Sequence, residues 1–192
     1  MEEVMIVGNE KLNIIGFAGS LRKASYNKFL LNACLELLPE EMNIEIFDLD
    51  GIPPFNQDFE SDPPERVKVF KEKIRLSDGV LVATPEYNYS IPGVLKNAID
   101  WASRPYGDNV FFGKPAAIIG ASIGMLGTAR AQYHLRQVFV CLNVYVLNQP
   151  EVMVPLAEKK FDKNGRLVDD STRERLKDLL STFSEWVSKF KV

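Results

Sequence analysis

Three stretches of the 192-residue chain concentrate side chains able to do chemistry. Residues 19–27, GSLRKASYN, gather Ser20, Arg22, Ser25 and Asn27 just ahead of a helical pattern. Free N–H groups at a helix start, hydroxyls and a guanidinium together make an anion site, because the N-terminus carries partial positive charge and Arg adds charge-assisted bonds. Taken alone, the stretch fits a plain helix cap with surface charges equally well. Residues 84–102, TPEYNYSIPGVLKNAIDWA, place Pro85, Glu86, Tyr87, Asn88 and Tyr89 between an apolar run and another helix. Ser90 as a cap and Pro92 in the first turn account for part of this stretch, but not for the Glu-Tyr-Asn-Tyr cluster. Tyrosines can pack against a flat ring while keeping a polar tip, and N–H groups of such a loop can reach acceptors on the ring. Residues 120–130, GASIGMLGTAR, bring Ser122, Gly124 and Gly127, and glycines there allow a backbone to approach a negatively charged ligand edge closely.

Several chemistries are excluded or disfavoured. The first stretch holds neither G-x-x-x-x-G-K-[ST] nor G-x-G-x-x-G, so it is not a known phosphate loop or dinucleotide fingerprint. Residues 120–124 do fit G-x-S-x-G, the serine-hydrolase elbow. A triad then needs an acid and a histidine after the serine. The only histidine is His134, no Asp or Glu lies between it and Ser122, and it rides the helix that the stretch begins. His134 reads instead as a helix-surface or subunit-contact residue. One histidine and two distant cysteines, Cys34 and Cys141, predict no metal site and two buried free thiols. A formal charge of -3 predicts no nucleic-acid partner, and no apolar run of about 18 residues predicts a membrane span. The opening MEEVMIVGNEK predicts no secretory signal, so the expected location is cytoplasmic.

The elements that must position these stretches alternate between strand and helix. Apolar runs at 12–18, 79–85 and 115–122 predict buried strands, and 143–147 a fifth strand. Residues 43–49 alternate at Ile44 and Ile46, as a half-exposed edge strand does. Helices are predicted around residues 26–37, after Pro64 through Val67, Phe70 and Ile74, at 91–103 and at 127–139. In the last helix Leu176, Leu180, Phe183, Val187 and Phe190 share a face, with Ser171 and Glu174 as a capping box. Residues 155–170 read as an exposed excursion, and Trp101 as core. With 46% apolar residues, the whole chain, 1–192, suits one domain. The pattern predicts a three-layer α/β/α flavodoxin-like sandwich with a five-stranded parallel sheet of order 2-1-3-4-5. Ligands of such sheets bind at the carboxyl ends of the strands, at the switch point between strands one and three, where all three stretches fall.

Together, GSLRKASYN, PEYNYSIPGVLKNAIDW and SIGMLGTARAQYHLRQ resemble the NADPH-dependent FMN reductases, a flavodoxin-like group that includes chromate, quinone and azo-dye reductases. The resemblance covers nearly the whole chain; Thr128 stands where the family often carries glycine. It implies noncovalent FMN, with the phosphate touched by Ser20, Arg22, Ser25 and Asn27. The flavin ring would lie against Pro85, Glu86, Tyr87 and Asn88 through their backbone, with Ser122 and Gly124 on the pyrimidine side. It further implies NADPH or NADH as co-substrate, a ping-pong cycle without a side-chain catalyst, and a homodimer or homotetramer. The small acceptor would be a quinone, azo dye, chromate, ferric complex or free flavin. A flavodoxin-type electron carrier or a flavin-binding regulatory protein are the competing readings. A carboxylate facing the ring would oppose reduction, so Glu86 is expected to turn away from it, toward an arginine of a partner subunit such as Arg130.

Overall fold

The computed structural model describes residues 11–191; the stretch read above as lacking a secretory signal lies almost wholly outside them. Five strands line up in the order β2-β1-β3-β4-β5, and a sixth pairs with β4. They are β1 (Leu12–Ala18), β2 (Met42–Phe47), β3 (Gly79–Ala83), β4 (Pro115–Ala121), β5 (Tyr145–Val146) and β6 (Val152–Val154). Every pairing is parallel. The helices are α1 (Tyr26–Leu35), α2 (Glu65–Leu76), α3 (Gly93–Ala102), α4 (Ala129–Cys141) and α5 (Asp170–Ser188).

The period of two along each strand sends alternate residues to two separate cores. Leu12, Ile14, Leu81, Ile119 and their neighbours pack under α1 and α5. Ile15, Phe17, Val80, Val82 and Ile118 pack under α2, α3 and α4. β3 and β4 are buried at every residue, whereas β2 at the edge is only partly so, which is the texture that set the strand order. Leu176, Leu180, Phe183 and Val187 of α5 are buried, and Phe190 beyond it stacks on Tyr145 at 4.8 Å between centroids. Trp101 is core, with its indole N–H donating to the Pro53 carbonyl at 2.8 Å.

Four local expectations change. The fifth strand is broken: β5 pairs with the first residues of β4, and β6 pairs with the last ones, Ile119 to Ala121. Residues 155–170 are no mere excursion, because Ala157, Phe161 and Leu167 are buried and Phe161 bridges Leu167. α5 is capped by Asp169, which accepts from the Thr172 N–H at 2.9 Å, and not by Ser171. Cys34 is buried, but Cys141 at the end of α4 is exposed.

Candidate functional site

Ala18 and Ala83 pair side by side at the ends of β1 and β3. The chain then leaves β1 toward α1 on one face and β3 toward α3 on the other, which opens a crevice between the two connections. The crevice is a cavity of about 470 Å³, an ordinary size for a small-molecule site. The first loop contributes Ser20, Arg22, Ser25, Asn27 and the ring of Tyr26; the second contributes Pro85, Glu86 and Tyr87. Ser122 enters from the third loop, flanked by Ala121 and Ile123. Asn88 and Gly124 stand outside this lining. Tyr26 was missed in the sequence; its signal was an aromatic residue directly after the Ser25 cap.

Side chains shape each loop from within. Ser25 caps α1, its Oγ accepting from the Asn27 N–H at 3.3 Å. The Asn27 carboxamide runs across to the end of β4. Its Nδ2 donates to the Ala121 carbonyl and its Oδ1 accepts from the Ala121 N–H, both at 2.9 Å. In the second loop Tyr87 and Ser90 exchange backbone bonds of 3.0 Å around two positive φ angles, 50° at Asn88 and 67° at Tyr89. That is the pattern of a type I′ turn, which favours Asn first and usually glycine second. Tyr89 takes the second place with its ring 3.6 Å from the Arg130 guanidinium carbon, a cation–π contact that offsets part of the strain. Ser90 does not cap α3. Pro92 holds the cap position without a side-chain bond, and the Ser90 Oγ lies 3.1 Å from His134 Nδ1 on exposed α4 surface.

The Glu86 carboxylate pairs with an arginine as expected, but with Arg130 of its own chain and not of a partner subunit. Oε1 accepts from Arg130 Nε at 2.5 Å, and the terminal guanidinium nitrogen closes the ion pair. Oε2 accepts from the backbone N–H groups of Arg130 and Ala131 at 3.1 and 3.3 Å. The carboxylate, 7% exposed, therefore caps α4 from a loop 44 residues earlier. A capping carboxylate at a helix N-terminus stabilises by about 1 kcal/mol. It is needed because Thr128, at the cap position with φ of 74°, makes no side-chain cap bond of its own.

The third loop is pinned to β6 and to the segment after it. Ser122 N–H donates to the Val154 carbonyl at 3.0 Å and its Oγ accepts from Gly124 N–H at 3.1 Å. Gly127 (φ 54°) lies so close to β6 that a Cβ there would stand 2.6 Å from Met153 C. Gly120 on β4 leaves room for the buried Thr128 hydroxyl.

What remains free is main chain and a few side chains of the first loop. Among the described residues, the N–H groups of residues 20–24 donate to no acceptor in the chain, nor do those of Glu86, Asn88, Tyr89, Ile123, Met125 and Leu126. The Ser20 hydroxyl, 3% exposed with its residue, is likewise without a partner there. Five donors and a hydroxyl before a helix N-terminus suit a phosphate. The unpaired N–H groups of Glu86 and Ile123, on the two other loops that line the crevice, suit the carbonyl and nitrogen acceptors of a flat heterocycle. Fold and site thus define a flavin-nucleotide pocket of the flavodoxin-like type, and FMN fits its donor set.

Comparison with known proteins carries this further. The model of the family described as NADPH-dependent FMN reductase matches residues 12–159, and the chain belongs to that family. It is 50% identical over 184 residues to an NAD(P)H-dependent FMN reductase of Pseudomonas aeruginosa, covering 95% of this chain and 99% of that one. A 2-hydroxy-1,4-benzoquinone reductase of a Burkholderia species is 47% identical, with 92% and 96% covered. Among solved structures, the flavoenzyme NAD(P)H:(acceptor) oxidoreductase FerB of Paracoccus denitrificans superposes with a TM-score of 0.87 at 36% identity, covering 94% of this chain and all of that one. The protein is an oxidoreductase, with FMN as cofactor and a reduced nicotinamide nucleotide as co-substrate. No helix among the described residues is long and apolar enough to cross a membrane.

Proposed function

We propose that the chain, acting as one FMN-binding domain, reduces small quinones at the expense of NADPH or NADH in two separate half-reactions. FMN held here would supply the redox chemistry that links the nicotinamide to the acceptor. The chain's own part is to bind, orient and leave one side open. Ser20, Arg22 and Ser25, with the N–H groups of residues 20–24, hold the phosphate; Asn27 fixes the distance from that loop to β4. Pro85 to Asn88 border the ring through main chain, and the loop from Ser122 past Gly124 meets its other edge. Donors aimed there favour negative charge on that edge, as an oxyanion hole does for its anion.

The carrying observation is the convergence on one crevice at the switch point of three loops that each bring unpaired N–H groups to its lining, at Ser20 and Arg22, at Glu86 and at Ile123. Quinone as acceptor draws support from the Burkholderia relative and from an Escherichia coli quinone reductase 39% identical over 188 residues. The exposed apolar rim of Leu21, Tyr87, Ile123 and Met125 suits a flat apolar visitor. A homodimer or homotetramer is part of the proposal, motivated by exposed Leu126, Tyr133 and Val140 on and beside α4, as is a cytoplasmic location. Anaerobic titration tests the reading. The FMN-loaded protein should bleach on adding NADPH or NADH and recover its colour with benzoquinone, and initial-rate plots should be parallel. A protein that binds FMN but waits for another protein to reduce it is a carrier, and the enzymatic reading is then wrong.

A further inference from the structure

We propose that Glu86 is a positioning residue that fixes the flavin-edge loop before cofactor arrives and holds down the flavin potential by neutralising the positive start of α4. The inference rests on the pocket being the FMN site proposed above. Its first half follows from geometry. The carboxylate takes three bonds from α4, two from N–H groups of its first turn and one from Arg130 Nε. Two further ties run the same way, Tyr89 beneath the Arg130 guanidinium and Ser90 against His134. All five connect residues 86–90 to residues 130–134, and none involves a ligand. The loop is therefore held onto α4 by the chain itself, in the conformation that leaves the Glu86, Asn88 and Tyr89 N–H groups free.

Its second half follows from charge. A helix start carries about half a positive charge, and Arg130 adds a full one. Both lie behind the pocket lining, against the Glu86 carboxylate, and would stabilise a flavin that gains negative charge on reduction. Glu86 sits between them and the pocket, 7% exposed, where solvent screening is weak. Isosteric loss of its charge leaves Arg130 and the helix start uncompensated, which favours the reduced cofactor. Loss of Arg130 leaves the carboxylate uncompensated, which disfavours it. The two partners of one ion pair should thus move the potential in opposite directions, a signature that a purely structural pair does not produce.

The test uses wild type, E86Q, E86A and R130Q. In cofactor-free protein, hydrogen exchange at the Arg130 and Ala131 amides should speed up at least tenfold in E86A. In FMN-loaded protein, dye equilibration should place the E86Q potential above wild type by a tenfold shift in the redox equilibrium, about 30 mV for a two-electron couple, and R130Q below it. Unchanged exchange in E86A overturns the clamp. Shifts of the same sign in E86Q and R130Q, or none, overturn the electrostatic role. Failure of wild type to take up FMN sinks the functional reading separately, and exchange in the cofactor-free chain still decides the clamp.

Discussion

Replacing Gly120 by alanine probes the joint between β4 and the third loop. An ideal Cβ at this position would stand 1.9 Å from Thr128 Oγ1, 3.0 Å from Thr128 Cβ and 2.6 Å from the Thr84 carbonyl oxygen. Real Cβ contacts do not go below 3.0 Å, so the hydroxyl must retreat by 3.0 − 1.9 = 1.1 Å or the strand must shift. Neither is easy. Thr84 is held in the sheet by its N–H to the Ile119 carbonyl at 2.9 Å, and Thr128 is 1% exposed and accepts from Gln132 Nε2 at 3.1 Å. Overpacking of this kind costs about 3 kcal/mol, the upper end of its usual range, because one of the two obstacles is backbone. For a chain of this length that lowers the melting temperature by about 9 °C. Urea unfolding of cofactor-free protein measures the loss, and quenching of flavin fluorescence measures the accompanying drop in FMN affinity as the start of α4 moves. Adding Thr128→Ala removes the nearer obstacle and leaves the Thr84 carbonyl, so G120A/T128A should be less destabilised than the sum of its parts by about 1 kcal/mol. A Gly120→Ala protein within about 0.5 kcal/mol of wild type, the range of ordinary surface changes, refutes the close approach. Strict additivity in the cycle refutes Thr128 as its cause.

Asn27→Ala should cost about 3 kcal/mol in urea unfolding, since it strips partners from both the N–H and the carbonyl of buried Ala121. Asp169, which caps α5 and pairs with Lys160 at 2.8 Å, has its pKa pulled down to about 2 from 3.8, chiefly by the Lys160 bond and the Thr172 hydroxyl. A depressed carboxyl stabilises the fold above its unfolded pKa and loses that contribution as pH falls through the folded one. Asp169→Ala, after allowance for solvent screening, should therefore cost about 1 kcal/mol at pH 7, a loss that shrinks as pH falls from the unfolded pKa through the folded one and disappears only below it. Burial pushes the Cys34 thiol up to about 12, while Cys141 is exposed, so a thiol reagent should titrate one equivalent in the native protein and two after denaturation.

The sheet was legible because burial writes itself into strand texture. β3 and β4 are apolar throughout because helices cover both faces, and β2 alternates because its edge position exposes Asn43 and Glu45 and leaves Ile46 partly exposed. The break between β5 and β6 was not legible. Val152 to Val154 is three residues long, and nothing local says that it joins the far half of β4. Residues 155–170 misled through composition. KKFDKNGRL is polar on average, yet Phe161 packs with Tyr26 and Phe29 at 5.7 and 6.1 Å, and Gly165 lies against the Phe29 ring. The α5 cap was ambiguous because Asp169, Asp170 and Ser171 are all good caps. Lys160, delivered by that same misread segment, adds an ion pair to the Asp169 cap.

At the pocket the sequence located the loops but not the atoms that face a ligand, and the reason is general. Ser25, Asn27, Glu86, Ser90 and Ser122 are the polar residues that drew attention to these strand ends. In the structure each engages its own chain: Ser25 the N-terminus of α1, Asn27 the end of β4, Glu86 the start of α4, Ser90 His134, Ser122 Gly124. The partners lie between 2 and 94 residues away, and the long connections leave no trace in local spacing. Loops that must present bare N–H groups cannot satisfy themselves as helices or strands do, so side chains must hold them in place. A dense set of short polar residues at a strand tip therefore signals a site whose recognition is carried by main chain. The same logic separates two kinds of polar residue here: Asn27, Glu86 and Ser122 hold the loops in place, while the Ser20 hydroxyl and the Arg22 guanidinium, hydrogen-bonded to nothing among the described residues, stay available to a ligand.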